Sequence, residues 1–238
     1  MKIVIVMPTY NGERTIESVF KNIPRNTLKK IYRIIIVNDG SQDKTLEKIK
    51  SLKKFYKIDL LNHGINEGYG AAQQTGLKYA LKLGADIIAL LHCDGQLDPR
   101  FMNRLLEPLE MNQTDIVQGS RILSGTAVQD GMPRYKYIGN IALTFLENIA
   151  FGMNLAEYHS GYMLYSKKAL QTIPFEKLSS TFHFDGEMLI VAKKKGLRIK
   201  EMPIQARYKD EVSHLHIISY GVDVMKTIIN YWRGKYNF

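Results

Sequence analysis

The sequence predicts an α/β fold in which a mostly parallel central sheet is flanked by helices. Short runs rich in Ile and Val alternate along the chain with segments of helical periodicity. Two of these runs, residues 34–37 and 87–91, end at acidic turns that contain glycine, residues 38–41 and 92–96. Because open α/β sheets bind ligands at the carboxyl ends of their strands, these turns mark the expected site.

The first half of the chain is predicted to hold five strands. Each run is short and is bounded by turn residues, and Ser41 or Asp43 can cap the helix that follows the second strand. In order, the predicted elements are a strand over residues 2–7, a helix over about 13–21, a strand over 32–38, a helix ending at 52, a strand over 57–61, a helix over about 69–83, and strands over 86–91 and 115–119.

The pattern is less regular in the second half. Residues 122–134 contain Gly125, Gly131 and Pro133 and keep neither period, which predicts a mobile loop. The remaining predicted elements are a helix over 137–151, a strand over 162–165, a helix over about 185–195, a strand over 199–206 and an amphipathic helix over 217–232. Without a repeat or a linker, we expect a single domain spanning residues 1–238.

Composition indicates a cytoplasmic globular protein. A hydrophobic content of 45% over 238 residues is enough for a sizeable core. The single cysteine, Cys93, excludes an internal disulfide and agrees with a reducing compartment. Residues 138–151 are too few to span a membrane and are interrupted by polar side chains, and the apolar residues 3–7 are too few for a signal peptide.

The net charge of +10 allows three interpretations. A lysine-rich solvated surface is the simplest, and we favour it. Attraction to anionic lipid headgroups or to a phosphate-bearing substrate is the second. Nucleic acid is the third, but no recognition motif accompanies the charge, so we expect no nucleic-acid partner.

Four short motifs carry a resemblance to a known family through their order and spacing. They are Pro8-Thr9-Tyr10-Asn11 with Glu13, residues 38–45, residues 66–70, and His92-Cys93-Asp94-Gly95-Gln96. Together they resemble the family 2 glycosyltransferases of the GT-A fold, and most closely the polyprenyl-phosphate (dolichol-phosphate mannose synthase-like) branch. The resemblance is specific over the first half of the chain and continues more loosely to about His214.

The resemblance implies a nucleotide site that Pro8, Tyr10, Glu13 and Asp39 line around the base and the ribose. A carboxylate there can accept hydrogen bonds from ring N–H groups or from ribose hydroxyls. An ordinary turn acid is the alternative for Asp39.

Gly68 begins a glycine-containing turn before a helix, which brings a free helix N-terminus towards the nucleotide. The dinucleotide fingerprint G-x-G-x-x-G is excluded, because Gln73 stands at its sixth position and the segment follows the third strand.

The resemblance also implies a metal site. The family usually has Asp-x-Asp-x-Gln where this chain has residues 92–96, so His92 replaces the first Asp. Asp94 is then the expected metal ligand and catalytic carboxylate, with Gln96 as the second ligand. His92 is either a third ligand or an ordinary strand-end histidine. Mg²⁺ or Mn²⁺ is the expected cofactor, since both accept oxygen ligands.

Phosphate contacts are implied at four residues by their positions in relatives: Arg121, Arg134, Arg207 and Ser213. Arginine suits bidentate contacts with phosphate. A solvated surface arginine is the alternative, above all for Arg134. Some relatives show Ser-Lys where this chain has Ser213-His214, which is a departure from the pattern.

The implied reaction is an inverting transfer of a sugar from a UDP- or GDP-sugar. A polyprenyl-phosphate acceptor is already ionised and needs no base. A saccharide or other hydroxyl acceptor needs a general base, and Asp185 or Glu187 could serve. Helix N-terminal acids are the alternative for both residues.

Two further possibilities concern the acceptor and activity. The helix over 217–232 could lie on a membrane surface or pack against the sheet. A non-catalytic sugar-nucleotide-binding protein, whose metal site has decayed at His92, is the third functional hypothesis beside the two transferase hypotheses.

Overall fold

A computed structural model of the protein describes residues 1–205 and 217–238, and the strands within these ranges form one seven-stranded sheet. The strands are β1 (Ile3–Thr9), β2 (Ile31–Asp39), β3 (Ile58–His63), β4 (Ile87–Leu90), β5 (Ile116–Ser120), β6 (Met163–Ser166) and β7 (Ile199–Pro203). They follow the order β3-β2-β1-β4-β6-β5-β7.

The sheet is mostly parallel, as predicted. β1 pairs in parallel with both β2 and β4, so that Val6 lies opposite Ile35 on one side and Leu90 on the other. β6 is the exception, because it runs antiparallel to β4 and β5. The sequence predicted β6 as a strand but not its direction, since side-chain periodicity is the same for both directions.

Burial on both faces explains the apolar runs of β1, β2 and β4. Every residue of β1 and of β4 is buried. Val4 and Val6 belong to one apolar cluster, whereas Ile5 and Met7 belong to a second one. Because successive side chains of a strand point to opposite faces, these clusters lie on the two sides of the sheet.

The helices cover the sheet. They are α1 (Ile16–Asn22), α2 (Arg25–Lys30), α3 (Thr45–Leu52), α4 (Tyr69–Lys82), α5 (Met102–Glu110), α6 (Arg134–Phe151), α7 (Lys167–Thr172), α8 (Phe184–Lys194) and α9 (Ile217–Trp232). The predicted helices correspond to α1, α3, α4, α6, α8 and α9. α2 and α7 were not predicted; at six residues each, they are too short to show a helical period. The nine-residue α5 was not predicted either.

α6 begins earlier than predicted. Its first residue is Arg134, directly after Pro133, whereas the expected start was residue 137. Residues 121–131 form a series of turns rather than a helix or strand, in agreement with the irregular pattern there. Pro133 can precede the first helical turn because the N–H groups of that turn have no partner within the helix.

Gly76 permits α4 to lie directly on the sheet. A Cβ atom at this position would be 2.3 Å from Val6 Cγ1 and 3.2 Å from Val37 Cγ2. Both neighbours are buried β-branched side chains in the sheet, so neither can move away easily.

Gly76→Ala should therefore lower the free energy of unfolding by about 1–3 kcal/mol, as expected for overpacking of a core. Urea titration followed by circular dichroism measures this change. Gly221→Ala in α9 is the matched control, since a Cβ atom there meets no atom of the described residues within 4 Å. The control should gain up to about 1 kcal/mol from helix propensity alone. Equal effects of the two substitutions would contradict the packing argument.

Candidate active site

A cavity of about 830 Å³ lies at the carboxyl ends of β1, β2 and β4. Part of α6, residues 158–161 and the first turn of α8 complete its wall. The structure thus brings most of the predicted site residues together. Those that line the cavity are Pro8, Tyr10, Glu13, Asp39, Gly68, His92, Asp94, Gln96, Arg121 and Asp185.

Two predicted residues among those that the structure describes, Arg134 and Glu187, do not line the cavity. Arg207 and Ser213 lie outside the described residues. Arg134 is exposed at the first residue of α6, while Lys136, two residues later, lines the cavity instead. Glu187 points elsewhere: its Oε1 accepts a hydrogen bond from the Tyr236 hydroxyl at 2.6 Å and its Oε2 one from the Ser179 N–H at 2.6 Å. Glu187 therefore joins α8 to the C-terminal segment.

The loops after β1 and β2 are held together by reciprocal hydrogen bonds. The Asn11 N–H donates to Ser41 Oγ at 2.9 Å, and Asn11 Oδ1 accepts from the Gln42 N–H at 2.9 Å. Glu13 Oε2 accepts from the Lys44 N–H at 2.9 Å. Asn11 has a φ of 49°, a left-handed conformation that asparagine tolerates better than most residues. These bonds hold the two loops that line the predicted nucleotide pocket in a fixed relative position.

Asp39 organises the turn before α4. Its Oδ1 accepts from the Glu67 N–H at 2.9 Å and its Oδ2 from the Gly68 N–H at 3.0 Å. His63 Nδ1 lies 2.7 Å from Oδ1. Gly68 has a φ of 105°, and a Cβ atom there would be 2.7 Å from the Ser180 carbonyl oxygen, so this position requires glycine. Asp39 thus fixes Gly68 at the cavity wall.

Tyr69, the first residue of α4, joins His92 to Asp185. Its hydroxyl donates to Asp185 Oδ2 at 2.6 Å and lies 3.0 Å from His92 Nε2. The Tyr69 hydroxyl has one hydrogen, which it donates to Asp185. The contact with His92 is therefore a hydrogen bond in which His92 Nε2–H donates to the Tyr69 oxygen. The Tyr69 ring also stacks on Phe182, with centroids 5.2 Å apart. Sequence reasoning missed Tyr69, because nothing in the local pattern connects it with residue 185.

Burial shifts the pKa values of both Asp185 and Tyr69. The Asp185 carboxyl is buried, and the desolvation raises its pKa above the ordinary value of 3.8. Burial, and then the charge of Asp185, raise the pKa of Tyr69 well above 10.0. A buried carboxyl with a raised pKa, facing a cavity, is typical of a functional site.

Asp94 and Gln96 lie on the turn that follows β4. Asp94 Oδ1 accepts from the Gln96 N–H at 2.9 Å, and Gly95 between them has a φ of 78°. In the described ranges, no group of three His, Cys, Asp or Glu side chains could hold a metal ion by itself. One carboxylate and one amide oxygen nevertheless fit Mg²⁺ or Mn²⁺, because such ions commonly take their remaining ligands from substrate phosphates and water.

Two neighbours of Asp94 are less suited to metal binding. The His92 Nε2 atom is occupied by Tyr69, as described above. Burial raises the pKa of the Cys93 thiol to about 12, so the thiolate that a metal requires is not formed at neutral pH. The side chains of this turn that could offer oxygen atoms to a metal are therefore Asp94 and Gln96.

Arg121 lines the cavity but is tied to a buried carboxylate. Glu157 accepts from the Arg121 N–H at 2.8 Å and from its Nε at 2.9 Å, and it pairs with the guanidinium through Nη2 as well. Nη2 also donates to the His159 carbonyl oxygen at 2.7 Å. Asn140 of α6 donates to Glu157 at 2.9 Å. Glu157 therefore orients the guanidinium, and no local sequence pattern indicates this role for residue 157.

A cluster of buried titratable side chains adjoins the cavity, which two of its members, His159 and Tyr220, help to line. Glu147 of α6 lies 3.0 Å from His159 Nε2 and 3.5 Å from His183 Nε2. The Tyr220 hydroxyl lies 3.3 Å from His183 Nδ1. Burial raises the pKa of Glu147 and lowers the pKa of His159 and of His183, the latter to about 4. These directions favour the neutral forms, so the cluster adds little charge to the cavity.

The motifs, the sheet and the cavity agree with a comparison against known families. A family model described as "Glycosyl transferase family 2" matches residues 4–173, which is more than half of the chain. The chain belongs to glycosyl transferase family 2. It is therefore a glycosyltransferase, and the family resemblance inferred from the four motifs is confirmed.

Relatives within family 2 include enzymes of lipid-linked sugar transfer. UDP-N-acetylglucosamine--dolichyl-phosphate N-acetylglucosaminyltransferase of Methanococcus voltae is 32% identical over 221 residues, covering 87% of this chain and 86% of the relative. Dolichol-phosphate mannosyltransferase of Pyrococcus furiosus is 26% identical, covering 99% of this chain and 65% of the relative. Undecaprenyl-phosphate mannosyltransferase of Micrococcus luteus is 26% identical, covering 86% and 83%. These names match the predicted branch of the family.

Solved structures confirm the GT-A fold of this family 2 member. Glucosyl-3-phosphoglycerate synthase of Mycobacterium tuberculosis, in complex with Mn²⁺, UDP and phosphoglyceric acid, superposes with a TM-score of 0.70 at 17% identity. That match covers 99% of this chain and 78% of the synthase. The same synthase is also known with Mg²⁺ and UDP, at a TM-score of 0.66 and 19% identity.

No helix within residues 1–205 and 217–238 is both long enough and apolar enough to cross a membrane.

The raised pKa of Asp185 predicts a pH dependence of stability. The native state keeps the Asp185 proton at pH values where the unfolded chain has lost it, so stability falls as pH rises above about 3.8. Asp185→Asn removes this fall while keeping a hydrogen-bond acceptor for Tyr69. Relative to wild type, the variant should gain stability as the pH rises from 4 to neutral, as measured by urea titration at several pH values.

The control for this experiment is Leu189→Val, a buried and non-titrating substitution in the same helix. Its difference from wild type should stay constant over the pH range. A constant difference for Asp185→Asn as well would contradict the assignment of a raised pKa to Asp185.

Proposed function

We propose that this family 2 enzyme transfers a sugar, with inversion, from a UDP- or GDP-sugar to a polyprenyl phosphate, with Mg²⁺ or Mn²⁺ as cofactor. The observation that carries the proposal is the position of Asp94 at the carboxyl end of β4, in the wall of a cavity that also holds Asp39 and Arg121. Relatives named for dolichyl-phosphate and undecaprenyl-phosphate transfer support the acceptor class. The name of the Methanococcus voltae relative supports a UDP-sugar as donor.

Different lining residues of the cavity would bind the nucleoside, the divalent cation and the phosphate groups. The loops after β1 and β2 would bind the nucleoside, with Tyr10 and Glu13 at its surface. Asp94 and Gln96 would hold the divalent cation through oxygen atoms. A bound cation supplies electrostatic stabilisation of the departing diphosphate. Arg121, oriented by Glu157, would face phosphate oxygens of the donor or acceptor.

The phosphate acceptor removes the need for a strong base. A phosphate oxygen is ionised at neutral pH, so no side chain has to take a proton from it. A buried carboxyl with a raised pKa, such as Asp185, holds a proton more readily than a solvated one and is hydrogen-bonded to Tyr69 in this structure. In this mechanism Asp185 would shape the cavity rather than accept a proton.

A second candidate function uses a hydroxyl acceptor. The observation in its favour is Asp185 itself, a buried carboxyl that faces the cavity and whose pKa is raised by burial above the ordinary value. A general base with these properties suits deprotonation of a sugar hydroxyl. Glu187 does not compete for this role, because its two oxygens are bonded outside the cavity lining.

Removal of the Asp94 carboxylate tests the metal-assisted donor site. In calorimetric titrations with UDP and GDP, with and without Mn²⁺, Asp94→Asn should weaken Mn²⁺-dependent binding at least about tenfold, or ~1.4 kcal/mol. Asp59→Asn on the edge strand β3, outside the cavity, is the control and should bind like wild type. A folded wild-type protein that binds neither nucleotide would refute the proposed donor class.

Asp185→Asn distinguishes the two acceptor classes. With a polyprenyl-phosphate acceptor, the variant should keep its turnover within about tenfold, because no base is required. With a hydroxyl acceptor, loss of the base should cost about 10²–10⁴ in turnover. Initial rates with the two kinds of acceptor, at saturating donor, measure the difference. Transfer to a hydroxyl acceptor that depends on Asp185 would replace the leading proposal with the second one.

We also propose that the enzyme is cytoplasmic and meets its lipid acceptor as a peripheral protein at the membrane. α9 packs through Val224 and Ile228 and leaves Met225 and Trp232 exposed, so it combines the packing and the exposed apolar surface that the sequence suggested as alternatives.

A further inference from the structure

α6 carries apolar side chains on the side that faces away from the core. Its buried residues are Thr144, Glu147 and Phe151. Six large apolar side chains on the other side are exposed, and we call them the α6 apolar stripe: Tyr135, Ile138, Ile141, Phe145, Leu146 and Ile149. Ile138 and Ile149 are each 66% exposed and Phe145 is 63% exposed. Apart from the adjacent Phe145 and Leu146, successive members are three or four residues apart, which aligns them along one side of the helix.

Such a stripe is unusual for a surface helix. The solvent side of an amphipathic helix normally carries charged and polar residues. Contiguous exposed apolar surface generally marks a site that contacts another molecule or a membrane. The neighbouring helix α9 has a second exposed apolar set, Val222, Met225, Ile229 and Trp232, and packs against α6 where Tyr231 meets Phe151 at a ring-centroid distance of 5.0 Å.

The charges on α6 favour an anionic partner. Arg134 and Lys136 stand in its first turn, and its one acidic residue, Glu147, is buried against the histidines described above. The chain as a whole has a net charge of +10. A second copy of this chain carries the same net positive charge and therefore offers the stripe no complementary charge. An anionic lipid surface supplies the opposite charge.

The stripe is continuous with the cavity. Tyr135 belongs to the stripe and also lines the cavity, and Lys136, Gly139 and Leu143 of the same helix line it too. A lipid phosphate carries its charged group at the end of a chain that stays in the bilayer. A protein seated on its α6 stripe would therefore have the cavity beside the headgroup layer.

We propose that the α6 apolar stripe docks the enzyme on an anionic lipid bilayer and brings the cavity to the membrane surface. This inference rests on the proposed lipid-phosphate acceptor for its purpose, but not for the binding itself. In this arrangement α6 lies at the interface with its apolar side chains in the headgroup region, as amphipathic interfacial helices do.

Vesicle co-sedimentation tests the docking. The vesicles are phosphatidylcholine with about 30% phosphatidylglycerol and contain no acceptor lipid. The test variant is Ile138→Ser with Phe145→Ser, since neither residue lines the cavity. The control variant is Ile65→Ser with Phe55→Ser, which removes the same two residue types at positions that are 71% and 80% exposed away from α6.

Wild type and control should bind these vesicles, and the stripe variant should bind at least about tenfold more weakly. All three should bind less well to vesicles of phosphatidylcholine alone, because the charge attraction is then lost. Failure of wild type to bind, or equal losses in the two variants, would overturn the docking proposal. A concentration-dependent dimer in ultracentrifugation that the stripe variant abolishes, without vesicle binding, would assign the stripe to a second copy.

A water-soluble short-chain polyprenyl phosphate separates this proposal from the proposed function. With that acceptor and no vesicles, the stripe variant should transfer sugar at the wild-type rate, since its cavity is unchanged. Its rate should fall only when the acceptor is embedded in vesicles. Vesicle binding without transfer to any lipid phosphate would leave the docking intact and refute the acceptor. Transfer to the short-chain acceptor without vesicle binding would support the acceptor and refute the docking.

Discussion

Burial of β1, β2 and β4 on both faces is the constraint on which the site depends. Strands covered by helices on each side can carry polar groups without a desolvation cost only where they end. β1 is buried throughout, and the polar groups at the ends of the strands, Asp39 and Asp94 among them, collect along one edge of the sheet. Parallel pairing then brings the carboxyl ends of the three strands together, because all three strands run in the same direction.

Hydrogen bonds among these polar groups decide which atoms face a substrate. Asp39 uses both oxygens to hold the turn before α4, so it shapes the pocket as well as lining it. His92, the departure from the usual family motif, is accommodated by Tyr69, which also satisfies the buried Asp185. The change from an acid to histidine therefore leaves Asp94 as the carboxylate of that turn.

α6 faces three different environments. Glu147 faces the cluster of buried titratable side chains, Lys136 faces the cavity, and the α6 apolar stripe faces outward. Together these side chains give the helix no mainly polar face, which explains why its sequence shows no simple amphipathic pattern. The same arrangement explains why residues 138–151 resemble a membrane segment in composition without being able to span a bilayer.

Local sequence pattern is enough to predict the α/β class, the parallel strands and the turns that carry Asp39 and Asp94, because periodicity and turn chemistry are local properties. The contacts between distant side chains depend on how the elements pack. Tyr69 and Asp185 are 116 positions apart, and Arg121 and Glu157 are 36 apart. Local pattern cannot show these contacts, and it cannot separate Asp185, which faces the cavity, from Glu187, two residues later, which does not. One helical step of 100° per residue places their carboxylates on different sides of α8, and only packing shows which side meets the cavity.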